Sequence, residues 1–246
     1  MNILFSYHND TDDATMTHSS EHPSFPAENV QQRWFVKPWR STGIVTEYLR
    51  FAMSKTPQID FIAIKNHNLT NAATVVVNFY SDAYITLVRS EAMTWSAESM
   101  VMLIDEAQRY IEITFSDAWN PDGYIEIGRV WMGESIRPRI GFSMERTVVP
   151  QDQSVISESE NGQVATIQRT QFKTWDYTFE GVDPTDKADM DDMFDEVGLS
   201  RALFICERPD EVDPVPYTEY VSFTSWEWEH IAGEWWKLMV EIKEER

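Results

Sequence analysis

The chain has 246 residues, 42% hydrophobic and 13% aromatic, enough for one large or two ordinary domains with a substantial core. Its net charge of -21 repels phosphate backbones and speaks against ordinary nucleic-acid binding. No apolar run approaches the roughly 20 residues of a membrane helix, and the single Cys206 excludes an internal disulfide and a multi-cysteine zinc site.

In chain order, the start MNILFSYHND lacks the basic residues and apolar stretch of a signal peptide, so a protein used without secretion is expected. Short alternating runs follow: TEYLRFAM (46–53), IDFIAIKNHN (59–68), ATVVVNFYS (73–81) and AYITLVR (83–89). Residues 95–108 leave room for a helical turn capped by Ser96. The runs 109–117 and 124–132 flank Asn120-Pro121-Asp122-Gly123 and read as a hairpin. In the first, Ile111, Ile113 and Phe115 share one face, and Tyr110, Glu112 and Thr114 the other. Strands at this spacing predict an antiparallel β-sandwich.

Residues 134–163 hold prolines and a Ser/Glu/Gln-rich centre and read as a connector or extended arm. A long strand is expected over 165–181, with Trp175, Tyr177 and Phe179 on one face. One helix stands out. Asp183 caps it, Pro184 suits its first position, Met190, Met193, Phe194 and Val197 form an apolar stripe, and Gly198 ends it. RALFICE (201–207) reads as a buried strand, which makes Cys206 an inert thiol. After a proline-rich loop come two Trp-rich strands, the last with Trp236, Leu238, Val240 and Ile242 inward. The second half is therefore an α+β unit on an antiparallel sheet.

Motifs for chemistry are scarce. The chain has no phosphate-binding or dinucleotide glycine loop, no nucleophile elbow and no His-Glu-x-x-His. His18 and His22 lie in a loop-like stretch without a third ligand, and read as solvated. The oxygens of NDTDD (9–13) suit calcium in kind but lack EF-hand spacing. Carboxylates are abundant, yet nothing marks two as a catalytic pair. No enzyme, metal or cofactor is expected.

Ten tryptophans remain to be accounted for. Most suit a core or interface, while Trp39 and Trp119 are placed where they can stack on sugar rings. Trp39 and its neighbour Arg40 read as scaffold before ligand contacts. The charge is uneven: residues 1–150 carry 12 Lys+Arg against 18 Asp+Glu (-6), residues 151–246 carry 8 against 23 (-15).

Several stretches together resemble a known architecture. SSEHPSFPAENV (19–30), KPWRSTG (37–43), EYLRF (47–51), IDFIAIKNHNLT (59–70) and RYIEITFSD with NPDGYIEIGRVWMG (109–133) stand in the order of discoidin-like, or galactose-binding-like, sandwiches of bacteriophage tail proteins. Where such domains show an Asp-Leu-Gly-like turn, this chain has FAMSKTPQ. WDYTFEGV, the Asp-Pro-started helix, ALFICERPDE and the closing VEIKEE are similar to the tail-tube-like domain of siphophage distal-tail and minor tail proteins, with the domain order reversed.

The resemblance implies a sandwich over 1–140, a connector over 141–163 and a tail-tube-like α+β domain over 164–246. It implies a structural virion protein of the phage tail tip or baseplate, made in the host cytoplasm. The expected partners are copies of itself in a homo-oligomeric ring, hexameric by that analogy, and other tail proteins (tube, hub and fibres). DNA would pass through the ring without stable nucleic-acid binding, and no membrane insertion is expected. Glu227, Glu229 and Glu241 are the candidate acids of the ring lumen. The alternative is a carbohydrate-binding module attaching to host glycans. Trp39, Arg40 and Trp119 are the candidate glycan or inter-subunit contacts.

Overall fold

The computed structural model describes residues 3–142, 146–158, 161 and 164–246. Residues 143–145, 159, 160, 162 and 163 of the expected connector lie outside the described residues. The chain forms two compact units, one of Leu4–Ile136 with Cys206–Thr218, the other chiefly of Arg137–Ile205 with Glu219–Arg246.

The first unit is a two-sheet antiparallel sandwich. A short strand β1 (Leu4–Ser6) precedes the sandwich strands β2 (Thr15–His18), β3 (Trp39–Arg40), β4 (Glu47–Ala52), β5 (Ile59–His67), β6 (Thr74–Tyr80), β7 (Leu87–Ala92), β8 (Ser99–Glu106), β9 (Tyr110–Ser116) and β10 (Glu126–Gly133) and lies in neither of their sheets. One sheet runs β2-β4-β9-β6-β7 and the other β3-β10-β5-β8. Alternation decides which side chains enter the core. Leu49 and Phe51, Val75, Val77 and Phe79, and Ile111, Ile113 and Phe115 are buried between the sheets with Ile62, Ile64, Ile127 and Val130. Each large side chain removed from water contributes about 1.5–3 kcal/mol.

Three expectations change here. Residues 109–133 are not a hairpin, because β9 lies between β4 and β6 in one sheet while β10 lies between β3 and β5 in the other. The Asn120–Gly123 turn carries the chain across the sandwich. Residues 99–106 are a strand paired with β5 rather than part of a helical turn, since pairing with Phe61–Lys65 buries Met100 and Val101. The strand expected over 83–89 begins only at Leu87. Asp82 holds the preceding residues in a turn, accepting from Ile85 N, Thr86 N and Thr86 Oγ1.

The second unit contains β11 (Thr147–Gln151), β12 (Val155–Glu158), β13 (Val164–Ile167), β14 (Phe172–Val182), α1 (Pro184–Val197), β15 (Ala202–Cys206), β16 (Thr218–Ala232) and β17 (Trp235–Glu244). Within its main sheet the order is β15-β16-β17-β14-β11, and β12 pairs with β13 apart from it. The long strand expected over 165–181 is thus two strands, interrupted at 168–171. Mainly β structure with one α-helix among the described residues is the outcome for the chain.

Helix α1 follows its sequence signals. Asp183 accepts from Thr185 N and Asp186 N, and Gly198 at φ +55 ends it. Met190, Met193 and Val197 are buried, while Phe194 is half-buried and stacked on Trp226 at 4.8 Å. Asp191 accepts from Trp228 Nε1 at 2.8 Å. Arg139 binds Asp186 through Nε at 3.0 Å and Asp183 through Nη2 at 2.7 Å, tying residue 139 to the first turn.

Trp175, Tyr177 and Phe179 are buried on one face of β14. Burial pushes the Tyr177 hydroxyl up to about 12, against the opposing charge and hydrogen bond of Arg146. The unfolded chain ionises near 10, the native state only near 12, so the stability that Tyr177 contributes below pH 10 is lost as pH rises from about 10 to about 12. The expected slope is about 1.4 kcal/mol per pH unit. Tyr177→Phe should flatten it in denaturant titrations at pH 9–12, and an unchanged slope would show that Tyr177 is not its source.

Candidate functional site

At one end of the sandwich, β9 stops where β4 and β6 begin, as the pairs Glu47–Phe115 and Thr74–Ser116 show. The loops there are fixed by buried polar side chains. Asp117, fully buried, accepts from Thr70 N (2.8 Å), Thr70 Oγ1 (2.7 Å) and Asn120 Nδ2 (3.2 Å). Asn120 Nδ2 also donates to Asn68 O, and Asn120 Oδ1 accepts from Asp122 N. Asn68 donates to Asp122 Oδ2 and Tyr124 O, and accepts from Glu126 N. Gly123 closes the turn at φ +74, which a side chain disfavours.

This web leaves Trp119 82% exposed. The loop before β4 is tied to the same turn, with Asp117 N donating to Ile44 O at 2.7 Å, and presents Val45, also exposed. Glu47, buried at the base, accepts from the hydroxyls of Ser19 and Ser20. A large apolar ring in water on a loop held by at least six hydrogen bonds is costly to maintain without a partner.

Arg40 and Trp39 have different surroundings. Trp39 is fully buried, donates Nε1–H to Ser20 O at 2.9 Å and packs on Phe115, so it is scaffold. Arg40 donates through Nε and Nη2 to Glu126 Oε2, at 3.0 and 2.5 Å, with its guanidinium 3.9 Å from the Phe25 ring centroid and 4.2 Å from that of Tyr124. Tyr124 follows the Trp119 turn, so the fold brings Arg40 to that loop and takes Trp39 away from it. Sequence reading named Asn120 only as a turn residue and gave no site role to Asp117, Asn68, Phe25 or Tyr124. The Asp-x-x-Asn spacing ahead of Pro-Asp-Gly is the signal that points to the turn's anchor.

Asn9 and Asp12 of the NDTDD stretch bond one another, and Asp12 takes Arg129 Nη2 at 2.7 Å. Among the described residues no group of three or more His, Cys, Asp or Glu is placed to hold a metal. A cavity of about 310 Å³ has Met102, Leu103, Glu211 and Asp213 in its lining. Glu211 faces Arg208 at 3.7 Å and Asp213 accepts from Val215 N, so both carboxylates serve local turns.

The three candidate acids Glu227, Glu229 and Glu241 lie in the second unit. The pairs Ser225–Glu241, Glu227–Met239 and Glu229–Lys237 put all three on the sheet face opposite the Trp226/Trp228 side. Glu229 accepts from Lys237 Nζ at 3.1 Å.

No family model matches this sequence, and no curated protein does. Among solved structures, the lectin domain of lectinolysin complexed with Lewis B antigen is similar over 53% of this chain and 99% of that one, at 12% identity and a TM-score of 0.45. A Streptococcus pneumoniae fucose-binding module covers 52% of this chain and 95% of its own, at 13% identity and 0.43. The family 32 carbohydrate-binding module of C. perfringens NanJ in complex with galactose covers 54% and 99%, at 14% identity and 0.43.

Proposed function

We propose that the sandwich unit binds glycans at the loop end built around Trp119. The observation that carries this reading is the exposed indole on an internally bonded loop. The face of a pyranose ring is apolar, and covering an indole with it removes area from water without ordering the loop first. Arg40, Tyr124 and Phe25 supply donors and further ring surface beside the same loop.

The test is Trp119→Ala on an array of printed glycans. Expected is a loss of retention of tenfold or more, about 1.5–3 kcal/mol of buried aromatic contact, with folding stability within about 0.5 kcal/mol of the parent. Unchanged retention of a bound glycan would rule out this loop.

A second reading, a structural subunit of a phage tail tip, is favoured by the second unit. The outer part of β16 and the turn beyond it is exposed from Thr224 to Trp235 except for Trp226 and Trp228, and α1 packs on the face opposite Glu227, Glu229 and Glu241, where Phe194 stacks on Trp226. Such a surface suits packing between copies, with an acidic wall that DNA would not adhere to. Light scattering decides: a monomer at all concentrations, and with tail proteins added, would remove the ring.

A further inference from the structure

The outer face of the β2-β4-β9-β6-β7 sheet carries a second arrangement that the loop end does not explain. Five residues form one rung across all five strands, in the paired order Thr17, Arg50, Glu112, Asn78, Ser90. Four of them are joined by hydrogen bonds. Ser90 Oγ donates to Asn78 Oδ1 at 2.7 Å, Asn78 Nδ2 to Glu112 Oε1 at 3.3 Å, and Arg50 Nε to Glu112 Oε2 at 2.5 Å. Tyr80 also donates its hydroxyl to Glu112 Oε1 at 3.1 Å. Glu112 is buried although it lies on the outer face, because tyrosines crowd around it.

Those tyrosines also fix the cation. The Arg50 guanidinium lies 4.4 Å from the Tyr48 ring centroid and 4.9 Å from that of Tyr84, and Tyr84 packs edge-on against Tyr80 and Tyr110. Nε is occupied by Glu112 and the guanidinium faces by rings, which leaves the Nη edge. Neither Nη, nor the hydroxyls of Tyr48, Tyr84 and Tyr110, bonds another described residue within the sheet. Tyr84 sits at φ +64, a conformation that costs an aromatic residue energy and that places its ring in this cluster. Strain of that kind gathers at ligand sites.

We propose that this sheet face is a separate saccharide-binding surface, where the Nη edge of Arg50 and the hydroxyls of Tyr48 and Tyr84 take vicinal hydroxyls of a neutral sugar. The guanidinium fork matches two oxygens side by side, and the tyrosine rings offer apolar surface to the sugar's C–H groups. A neutral ligand fits better than an acidic one: Glu112 cancels the Arg50 charge, and the chain's -21 repels anions. This surface stands whether or not the Trp119 loop binds.

The experiment uses the full chain carrying Trp119→Ala, so that the loop end is silent, on an array of neutral and acidic glycans. Three further changes are added singly: Tyr84→Gly, which removes the ring and relaxes the backbone, Tyr84→Phe, which removes only the hydroxyl, and Arg50→Lys, which keeps the charge beside Glu112 and loses the fork. Expected is residual binding to a neutral glycan, weakened about tenfold or more by Tyr84→Gly and Arg50→Lys and less by Tyr84→Phe. Hydrogen exchange should slow at 48–50, 80–84 and 110–112 when that glycan is bound. Absence of any residual binding, preference for acidic glycans, or binding indifferent to all three changes would overturn the proposal. Full binding with Trp119→Ala that is lost with Tyr84→Gly would reject the loop end and keep the sheet face.

Discussion

Asp117→Ala is expected to cost about 3–4 kcal/mol of folding stability. The carboxylate is fully buried and accepts three hydrogen bonds, from Thr70 N, Thr70 Oγ1 and Asn120 Nδ2. Removing it leaves the Thr70 amide and the Asn120 side chain with donors away from water, and an unsatisfied buried donor costs about 1–3 kcal/mol. Asp117→Asn keeps the shape and one acceptor, so it should cost roughly half as much. Denaturant midpoints measure both. The same change should weaken glycan retention even with Trp119 intact, because the loop that presents the indole loses its anchor. A stability loss under about 0.5 kcal/mol would mean that the turn is held by other groups.

Met190→Ala is expected to cost about 2–5 kcal/mol, since the side chain is fully buried beneath α1 and its removal leaves a cavity. Phe194→Ala should cost less than the roughly 3–5 kcal/mol of a fully buried phenylalanine, because its ring is half-buried though stacked on Trp226. Asp192→Ala, on the exposed face, should stay within about 0.5 kcal/mol. The ranking Met190, Phe194, Asp192 tests the helix phase, and an equal effect at Met190 and Asp192 would refute it.

The residues differ in how far sequence alone located them. Asp183, Pro184 and Gly198 bound α1 because capping chemistry is local to the chain. Period-2 alternation assigned Ile111, Ile113 and Phe115 to one face of β9, since a strand alternates regardless of its neighbours. Alternation says nothing about which strand lies alongside, so β9 and β10 read as a hairpin although they belong to different sheets. Sequence put Trp39 down as scaffold first but kept it, with Trp119, as a ring able to stack on sugars, and the pairing of β3 with β10 and the Asp117 turn are what separate the buried ring from the exposed one. Tyr110 and Glu112 were visible as an outward face, but Arg50, Asn78 and Tyr84 reach them only through two strand pairings and a strained turn.

The row from Thr17 to Ser90 has a consequence for how the sheet finds its alignment. Sliding β4 by one residue against β9 would point Arg50 into the apolar interior and Leu49 and Phe51 into water, and the same slip in β9 would carry Glu112 inward. An unpaired charge in that interior costs several kcal/mol, so each neighbouring strand checks the position of the next. The row acts like the aligned notches of a lock, open in one setting and jammed one step to either side.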